Sequence, residues 1–250
     1  MIHVEDRGEA GRVRFVTIDR PERRNALNLE TLEELLVAVE GAGVRAASDG
    51  ATRVLVLAGA AGHFCAGADL SGVEDTQFVA RLNELLVAIR DLPLPTLAAV
   101  EGAALGAGTQ LAVACDLRIA AADATFGIPA AKLGLMVDQW TVQRLIGLAG
   151  AGPARAMLLA AETYAGADAF GFGFVQRLGG VTDGLAWADH IATLAPLTIA
   201  GHKVGFNEAE QLDARTDTYA AVFARAWGSA DLREGLSAFG ERRPARFAGQ

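Results

Sequence analysis

The sequence predicts an α/β fold in which a mostly parallel sheet occupies the first half of the chain. Apolar runs of strand length alternate there with stretches that repeat at helical spacing, and this alternation is typical of parallel strands joined by helices. The second half carries helical patterns only. The composition agrees, because 29 glycines and few aromatic residues in a chain of 250 residues favour close packing of small side chains.

The first predicted strands and helices follow one another over residues 13–90. Residues 13–19 and 53–58 are runs of strand length, and the second is almost entirely apolar, as expected of a strand that is buried on both faces. Asn28 is predicted to cap a helix that ends near residue 45, because its side chain can accept hydrogen bonds from the first N–H groups of the helix. Hydrophobic residues at helical spacing predict a second helix over residues 73–90.

A strand, a glycine-rich turn and a helix of small residues are predicted next. The strand covers residues 96–100, the turn runs from Gly102 to Gly108, and the helix begins near Thr109 and ends before Cys115. Glycine permits tight bends and close approach of a ligand, and the first N–H groups of a helix lack internal partners and attract negative charge. We therefore expect donors for an oxyanion or a carbonyl oxygen here. The alternative is a tight connection packed in the core.

The remaining elements are a short strand at residues 117–121, an irregular loop at 124–134 and a series of helices. The helices are predicted at residues 139–148, 151–160, 186–194, 198–207, 213–227 and 231–239, before a basic tail at 242–250. We predict a core at residues 1–181 and a helical region at 182–250 that belongs to the same functional domain. The helical layer is expected to pack away from the sheet, against a neighbouring copy.

Charge and cysteine content narrow the function classes. A formal net charge of −8 argues against nucleic acid or an anionic membrane as the main partner. Cys65 and Cys115 have no spacing typical of a disulfide framework or a metal site, and the four histidines never pair at metal-ligand spacing. The first residues are not typical of a signal peptide, and no apolar stretch is long enough for a membrane helix. A cytoplasmic location is expected.

Three common motifs are incomplete or missing. The glycines at 106 and 108 follow a strand, but Leu111 stands where the dinucleotide-binding fingerprint has glycine or alanine. No glycine loop is followed by Lys and Ser or Thr, which excludes a phosphate-binding P-loop. The Gly-x-Ser-x-Gly nucleophile elbow is missing as well.

Several motifs in a fixed order carry a family resemblance. They are RPERRNAL at 20–27, FCAGADL at 64–70, ALGAGTQLAVACDLR at 104–118, FGIPAAKLGL at 126–135 and HKVGFNEA at 202–209. Over nearly its whole length the chain resembles the enoyl-CoA hydratase/isomerase (crotonase) superfamily. The resemblance implies a crotonase-like spiral of βα repeats, a C-terminal helical region that forms trimers or dimers of trimers, and a coenzyme A thioester as ligand.

The resemblance also implies which residues form the site. The backbone N–H groups of Ala68 and Ala107 would bind the thioester oxygen, an arrangement that stabilises a developing enolate. The residues expected to contact coenzyme A are Arg24, Ala26, Leu27, Ala66, Asp69 and Lys203. Among these, Arg24 and Lys203 are predicted phosphate partners, and the alternative for both is ordinary solvated charge. No metal and no permanently bound cofactor are expected.

The chain departs from the hydratase pattern at two positions. Hydratases of this family use two glutamates to activate water, and Gln110 and Ala130 stand in their places. Neither residue can accept a proton, so acid–base catalysis worth about 10² to 10⁴ per group would be lost. Asp138 remains, at a position where dienoyl-CoA isomerases of the family keep an aspartate. It is predicted either to act as a single acid or base, or to cap the helix that begins at Gln139.

Within the family, the motifs are most similar to a mycobacterial branch that binds fatty acyl-CoA in the mycolic-acid pathway without hydratase activity. The sequence therefore predicts an acyl-CoA-binding protein that lacks ordinary hydratase activity and serves fatty acid or lipid metabolism, with proteins of fatty-acid synthesis as candidate partners. One alternative is an enzyme that uses Asp138 alone. Another is residual hydratase activity in which Gln110 positions water.

Overall fold

The computed structural model describes residues 1–48, 50–69, 76–210, 224 and 227–246. Its architecture is mixed α/β, as the sequence predicts, with two sheets and helices on both faces of the larger one. The strands are β1 (Ile2–Arg7), β2 (Val13–Ile18), β3 (Val54–Gly59), β4 (Thr96–Val100), β5 (Ala103–Leu105), β6 (Leu117–Ala120), β7 (Thr125–Gly127), β8 (Thr163–Ala165) and β9 (Arg177–Leu178).

Apart from one short helix at Gly166–Gly171 that was not predicted, the helices of the described residues follow the predicted order. They are α1 (Leu29–Ser48), α2 (Thr76–Asp91), α3 (Ala107–Ala114), α4 (Gln139–Ala149), α5 (Ala151–Leu159), α6 (Gly166–Gly171), α7 (Val181–Ala192), α8 (Pro196–Glu210) and α9 (Ala230–Gly240). Asn28 caps α1 as predicted, since its side-chain oxygen accepts a hydrogen bond from the N–H of Thr31 at 2.9 Å. Most of the predicted helix at residues 213–227, and the end of the predicted tail at 247–250, lie outside the described residues.

The larger sheet has the strand order β1-β2-β3-β4-β6-β9, in which only the β1–β2 pair is antiparallel. Its two faces are both buried, as β3 illustrates. Val54 and Val56 pack in a cluster with α7, whereas Leu55 and Leu57 pack in the main core with α1 and α2. This double burial explains why the strand is apolar at successive positions.

Helix α7 corrects one expectation. It begins at Val181, five residues before the predicted start, and packs against β2, β3, β4 and β6 of its own chain. The first helix of the C-terminal region therefore covers the sheet and does not lie apart from it. Its small inward residues make this possible, because a Cβ added at Gly184 would already lie 3.1 Å from Ala99 and Ile119 side-chain atoms.

The described helices include none long and apolar enough to cross a membrane. The same residues hold no cluster of three His, Cys, Asp or Glu side chains suited to a metal ion. Cys65 and Cys115 are both buried and unpaired, and burial raises the pKa of each thiol to about 12. Both cysteines therefore act as small core residues.

Candidate functional site

Two glycine loops and the segment before α1 lie side by side at one edge of the fold. Backbone hydrogen bonds join the loops, from Cys65 N to Ala103 O at 2.8 Å and from Leu105 N to Cys65 O at 2.9 Å. The N–H of Asp69 donates to Leu27 O at 2.7 Å, which ties the first loop to the segment before α1. This backbone layer fixes both loops relative to each other.

Ala68 and Ala107 stand at the point where the loops meet. A Cβ added at Gly67 would lie 3.8 Å from Ala107 N and 2.9 Å from Leu105 O, so only glycine fits between the loops. Within the part of the chain that the structure describes, neither the N–H of Ala68 nor that of Ala107 donates to a protein acceptor. Both residues line the same cavity.

This part of the cavity therefore offers two hydrogen-bond donors. Ala107 is the first residue of α3, where the helix dipole adds positive character to its unpaired N–H. Two such donors on fixed backbone can hold an oxygen that carries or develops negative charge. The structure thus brings together the two residues that the family resemblance implied as oxyanion donors.

The cavity itself has a volume of about 650 Å³, within the range of small-molecule sites. Most of its wall is apolar. The wall is formed by the two loops, by Phe78, Val79 and Leu82 of α2, by the segment 128–138, and by Trp227, Leu236 and Phe239 near the C-terminus.

Helix α9 closes one side of this cavity through a glycine contact. A Cβ at Gly235 would lie 2.3 Å from Leu133 O, and one at Gly134 would lie 2.6 Å from Asp231 O. The two glycines therefore let α9 rest directly on the 3-10 turn Pro129–Leu133. Trp227 adds a hydrogen bond from its indole N–H to Met136 O at 3.0 Å.

Two polar residues that were not among the predicted site residues hold the first loop in place. Arg20 contacts the Asp69 carboxylate at 3.4 Å and donates to the Ala26 carbonyl. Asn25 is fully buried, accepts from Arg20 N at 2.8 Å, and donates to Ala60 O at 2.9 Å. Asn25 adopts φ of 60°, a conformation that asparagine tolerates better than most residues. The sequence signal that could have identified these residues is the asparagine that follows a cluster of arginines.

The polar end of the cavity is a hydrogen-bonded group of three side chains. Asp138 caps α4, accepting from Thr141 N at 2.9 Å and from Thr141 Oγ1 at 2.7 Å. Gln110 donates from Nε2 to Thr141 Oγ1 at 2.9 Å and to Asp138 Oδ2 at 3.3 Å. Asp138 also lines the cavity, so its capping role and its place in the site coincide.

Ala130 lines the same cavity and belongs to the 3-10 turn Pro129–Leu133. Among the described residues that line the cavity, Asp69 and Asp138 carry the carboxylates. The first is paired with Arg20 and the second is a helix cap. The site can therefore donate strong hydrogen bonds to a ligand oxygen, but it has little free acid or base next to that oxygen.

The residues predicted to contact coenzyme A divide into two groups. Ala26, Ala66 and Asp69 line the cavity. Leu27 does not, because its side chain is fully buried in the core and its contribution is through its backbone. Arg24 is exposed outside the cavity wall, whereas its neighbour Arg23 lines the wall.

Lys203 requires a correction. Its ammonium donates to Asp116 Oδ2 at 2.7 Å, to Leu94 O at 3.0 Å and to Ile89 O at 3.3 Å, and the residue is buried. Burial lowers the pKa of the Lys203 ammonium, although Asp116 opposes that shift. The charge is thus used inside the chain, between α8 and the end of α2, and is not offered to a phosphate. A sequence cannot distinguish a buried lysine from a solvated one at this position.

Comparison with known proteins places this arrangement in a family. The family model for enoyl-CoA hydratase/isomerase matches residues 8–250. Probable enoyl-CoA hydratase echA6 of Mycobacterium tuberculosis is 43% identical over 242 residues, covering 96% of this chain and 98% of that protein. The 2,3-dehydroadipyl-CoA hydratase of Escherichia coli K12 is 33% identical over 255 residues, covering 96% of each chain.

Solved structures agree on the fold. An enoyl-CoA hydratase/isomerase from Pseudoalteromonas atlantica T6c superposes with a TM-score of 0.87 at 28% identity, covering 99% of both chains. A methylmalonyl-CoA decarboxylase in complex with 2-nitronate-propionyl-CoA superposes with a TM-score of 0.88, over 100% of this chain and 98% of that one. Its 22% identity shows likeness of fold alone. The chain has the crotonase fold and belongs to the enoyl-CoA hydratase/isomerase family.

Proposed function

We propose that this protein binds fatty acyl-CoA thioesters and holds them without hydrating them. The observation that carries the proposal is the contrast within one cavity. The two unpaired N–H groups of Ala68 and Ala107 are retained, while Gln110 and Ala130 occupy the positions expected of the catalytic glutamates. A thioester oxygen would be bound there with no carboxylate placed to activate water.

The chemistry of hydration supports this proposal. Adding water across a double bond needs a base to accept the proton of water and an acid to protonate the neighbouring carbon. The Gln110 amide cannot accept a proton, and its N–H groups face Thr141 and Asp138. Ala130 offers no polar atom. A large apolar wall favours a long acyl chain over a short polar one.

The outer part of the ligand and the assembly belong to the same proposal. Arg23 lines the cavity and Arg24 is exposed beside it, so both could contact phosphates of coenzyme A on a chain of net charge −8. Homotrimers or dimers of trimers are proposed from the family. Proteins of fatty-acid synthesis are the proposed recipients of the acyl group, in the cytoplasm.

The test combines binding and turnover on one preparation. We expect dodecanoyl-CoA to bind with a Kd below about 10 μM in isothermal titration calorimetry. Hydration of crotonyl-CoA should proceed more slowly than about 0.01 per second, against about 10 per second for a typical enzyme. Ordinary hydration rates would overturn the non-hydratase assignment, and lack of any acyl-CoA binding would overturn the whole proposal.

A second candidate function is an isomerase or related enzyme that uses Asp138 alone, because this carboxylate lines the cavity. Three donor contacts already occupy the carboxylate, which leaves about one of its four lone-pair sites for a substrate proton. If this function holds, an acyl-CoA substrate will show turnover that Asp138→Asn lowers at least about 100-fold. Turnover that Asp138→Asn leaves unchanged would exclude this function. Absence of turnover with every acyl-CoA would exclude it as well.

A further inference from the structure

Arg20 lies behind the first oxyanion donor and is not among the described residues that line the cavity. We infer that Arg20 is a positioning residue, which aims and polarises the Ala68 N–H through two peptide groups without touching the ligand. The inference rests on the proposed function, since it assumes that the N–H groups of Ala68 and Ala107 hold a thioester oxygen. It comes from a continuous row of hydrogen bonds between Arg20 and Ala68.

The row begins at the Arg20 guanidinium. Arg20 Nη1 donates to the Ala26 carbonyl oxygen, and the nitrogen of the same peptide group, Leu27 N, donates to Gly67 O at 2.8 Å. Gly67 O in turn belongs to the peptide group that carries the Ala68 N–H. In a planar trans peptide the N–H and the carbonyl point in opposite directions, so each group passes the direction of the row to the next. The Ala68 N–H therefore points away from Leu27.

The other end of the row is left for a ligand. Within the described part of the chain the Ala68 N–H has no protein acceptor. Ala68 lines the cavity, whereas Leu27 does not. Hydrogen bonds in a chain strengthen one another, and a cation at the start of the row draws electron density toward itself. The Ala68 N–H should thus be a stronger donor than an isolated peptide N–H.

Arg20 is itself held in place by its neighbours. Its N–H donates to Asn25 Oδ1 at 2.8 Å, and its carbonyl accepts from Arg23 N at 3.0 Å and from Asn25 N at 2.9 Å. Its second terminal nitrogen, Nη2, lies 3.4 Å from Asp69 Oδ2, and the Arg20 side chain is only 16% exposed. The guanidinium is a rigid, planar fork, so these contacts also fix the nitrogen that donates to Ala26.

The two oxyanion donors then have separate sources of polarisation. Ala107 is the first residue of α3 and uses the helix dipole, whereas Ala68 uses the Arg20 cation. Removing that cation should weaken one donor and leave the other unchanged. A bound thioester carbonyl would keep about one of its two hydrogen bonds.

A matched pair of ligands isolates this effect. Dodecanoyl-CoA carries the thioester carbonyl, and S-dodecyl-CoA is the thioether of the same chain length without that oxygen. We expect calorimetry on the full chain to show that wild type prefers the thioester by about tenfold, as two hydrogen bonds allow. Arg20→Gln should lower this preference to about threefold or less, with little change in the Kd of the thioether.

Two further variants separate charge and position from general stability. Arg20→Lys keeps a cation and a donor for Ala26 O, so it should retain a preference above about fivefold. Arg14→Gln is the matched control, because the Arg14 side chain is also 16% exposed and pairs with Asp6 at 3.2 Å, but lies in β2 and outside the cavity wall. It should retain the wild-type preference.

The infrared stretch of the bound, isotope-labelled thioester carbonyl gives a second readout. Polarisation weakens the carbonyl bond, so the frequency should lie below that of the free ligand in wild type and in Arg14→Gln. It should move back toward the free value in Arg20→Gln. A merely structural role of Arg20 would leave this frequency unchanged in the folded variant.

An ester at position 27 covers the case in which Arg20→Gln does not fold. Incorporating the α-hydroxy acid of leucine removes the Leu27 N–H, which is the middle link of the row. This change should lower the thioester preference as Arg20→Gln does.

The possible failures are distinguishable. A folded Arg20→Gln, or a folded ester variant, that keeps the wild-type preference would overturn this inference and leave the proposed function standing. Equal weakening of both ligands in Arg20→Gln would also overturn it, because Arg20 would then bind the part that the ligands share. A loss in Arg20→Lys as large as in Arg20→Gln would overturn the role of the cation. If wild type binds neither ligand, or does not prefer the thioester, the proposed function itself fails.

Discussion

Replacing Gly108 with alanine is expected to abolish acyl-CoA binding and to lower the free energy of unfolding by about 3 kcal/mol. A Cβ at this position would lie 2.1 Å from Cys65 O and 3.0 Å from the Cys65 carbonyl carbon. These are backbone atoms, so no side-chain rotation can relieve the clash. The two glycine loops must separate, and with them the N–H groups of Ala68 and Ala107.

Calorimetric titration with dodecanoyl-CoA and urea unfolding would measure both effects. Gly147→Ala is the matched control, because Gly147 lies in α4 and nothing stands within 4 Å of its added Cβ. That change should keep wild-type affinity and raise the free energy of unfolding by up to about 1 kcal/mol. If Gly108→Ala binds as tightly as wild type, the two loops do not form the thioester site.

Much of the fold could be predicted because its signals are local. The continuous apolar run of β3 results from burial on both faces, and the strand β4 has the predicted bounds Thr96–Val100. The missed strands β5, β7, β8 and β9 are only two or three residues long. Such strands have no periodicity of their own and exist because a neighbouring segment supplies hydrogen bonds. Strand β1 was missed because its outward residues are exposed and charged.

The site was predictable where it rests on backbone and not where it rests on long-range pairing. Ala68 and Ala107 were assigned through the family resemblance, which rests on contiguous glycine-rich motifs at 64–70 and 104–118. The hydrogen bond between Gln110 and Thr141 joins residues 31 positions apart, and no local sequence pattern indicates it. The same holds for Arg20, whose partner Asp69 lies 49 positions away.

The hydrogen bonds of Gln110 change how the presence of glutamine at a glutamate position is understood. From sequence, glutamine in place of a glutamate is simply a missing base. In the structure its amide completes a group with Thr141 and Asp138 and leaves one oxygen for the ligand. The position has thus kept polarity and lost only proton transfer.

Lys203→Met is expected to lower the free energy of unfolding by about 3 kcal/mol or more, because it leaves a carboxylate without its buried partner. Asp116 Oδ2, Leu94 O and Ile89 O would all lose a donor. Thr96 still donates to Asp116 at 2.8 Å from both its N–H and its hydroxyl. These two hydrogen bonds keep the expected loss of stability close to about 3 kcal/mol. Urea unfolding measures it, with the exposed Lys132→Met as the matched control.

The same variant separates a structural lysine from a phosphate ligand. At urea concentrations where it remains folded, Lys203→Met should bind dodecanoyl-CoA as tightly as wild type. If Lys203 instead bound a phosphate of the ligand, the variant would bind more weakly and keep its stability. A drop in affinity with unchanged stability would restore the original assignment. A double-mutant cycle with Asp116→Asn should show coupling of about 1 kcal/mol or more, because the two groups are in direct contact.

Alkaline pH gives the second test of this buried ion pair. Burial holds the pKa of Lys203 below its ordinary value of 10.5 in the folded chain, so between the two values the unfolded chain binds more protons. Stability contributed by this residue therefore rises with pH through that window, and is flat below the folded pKa, where both states are protonated. Wild type should gain stability relative to Lys203→Met as pH approaches 10.5. If the free energies of unfolding of the two proteins change in parallel with pH, the Lys203 ammonium is solvated. That result would contradict the buried ion pair.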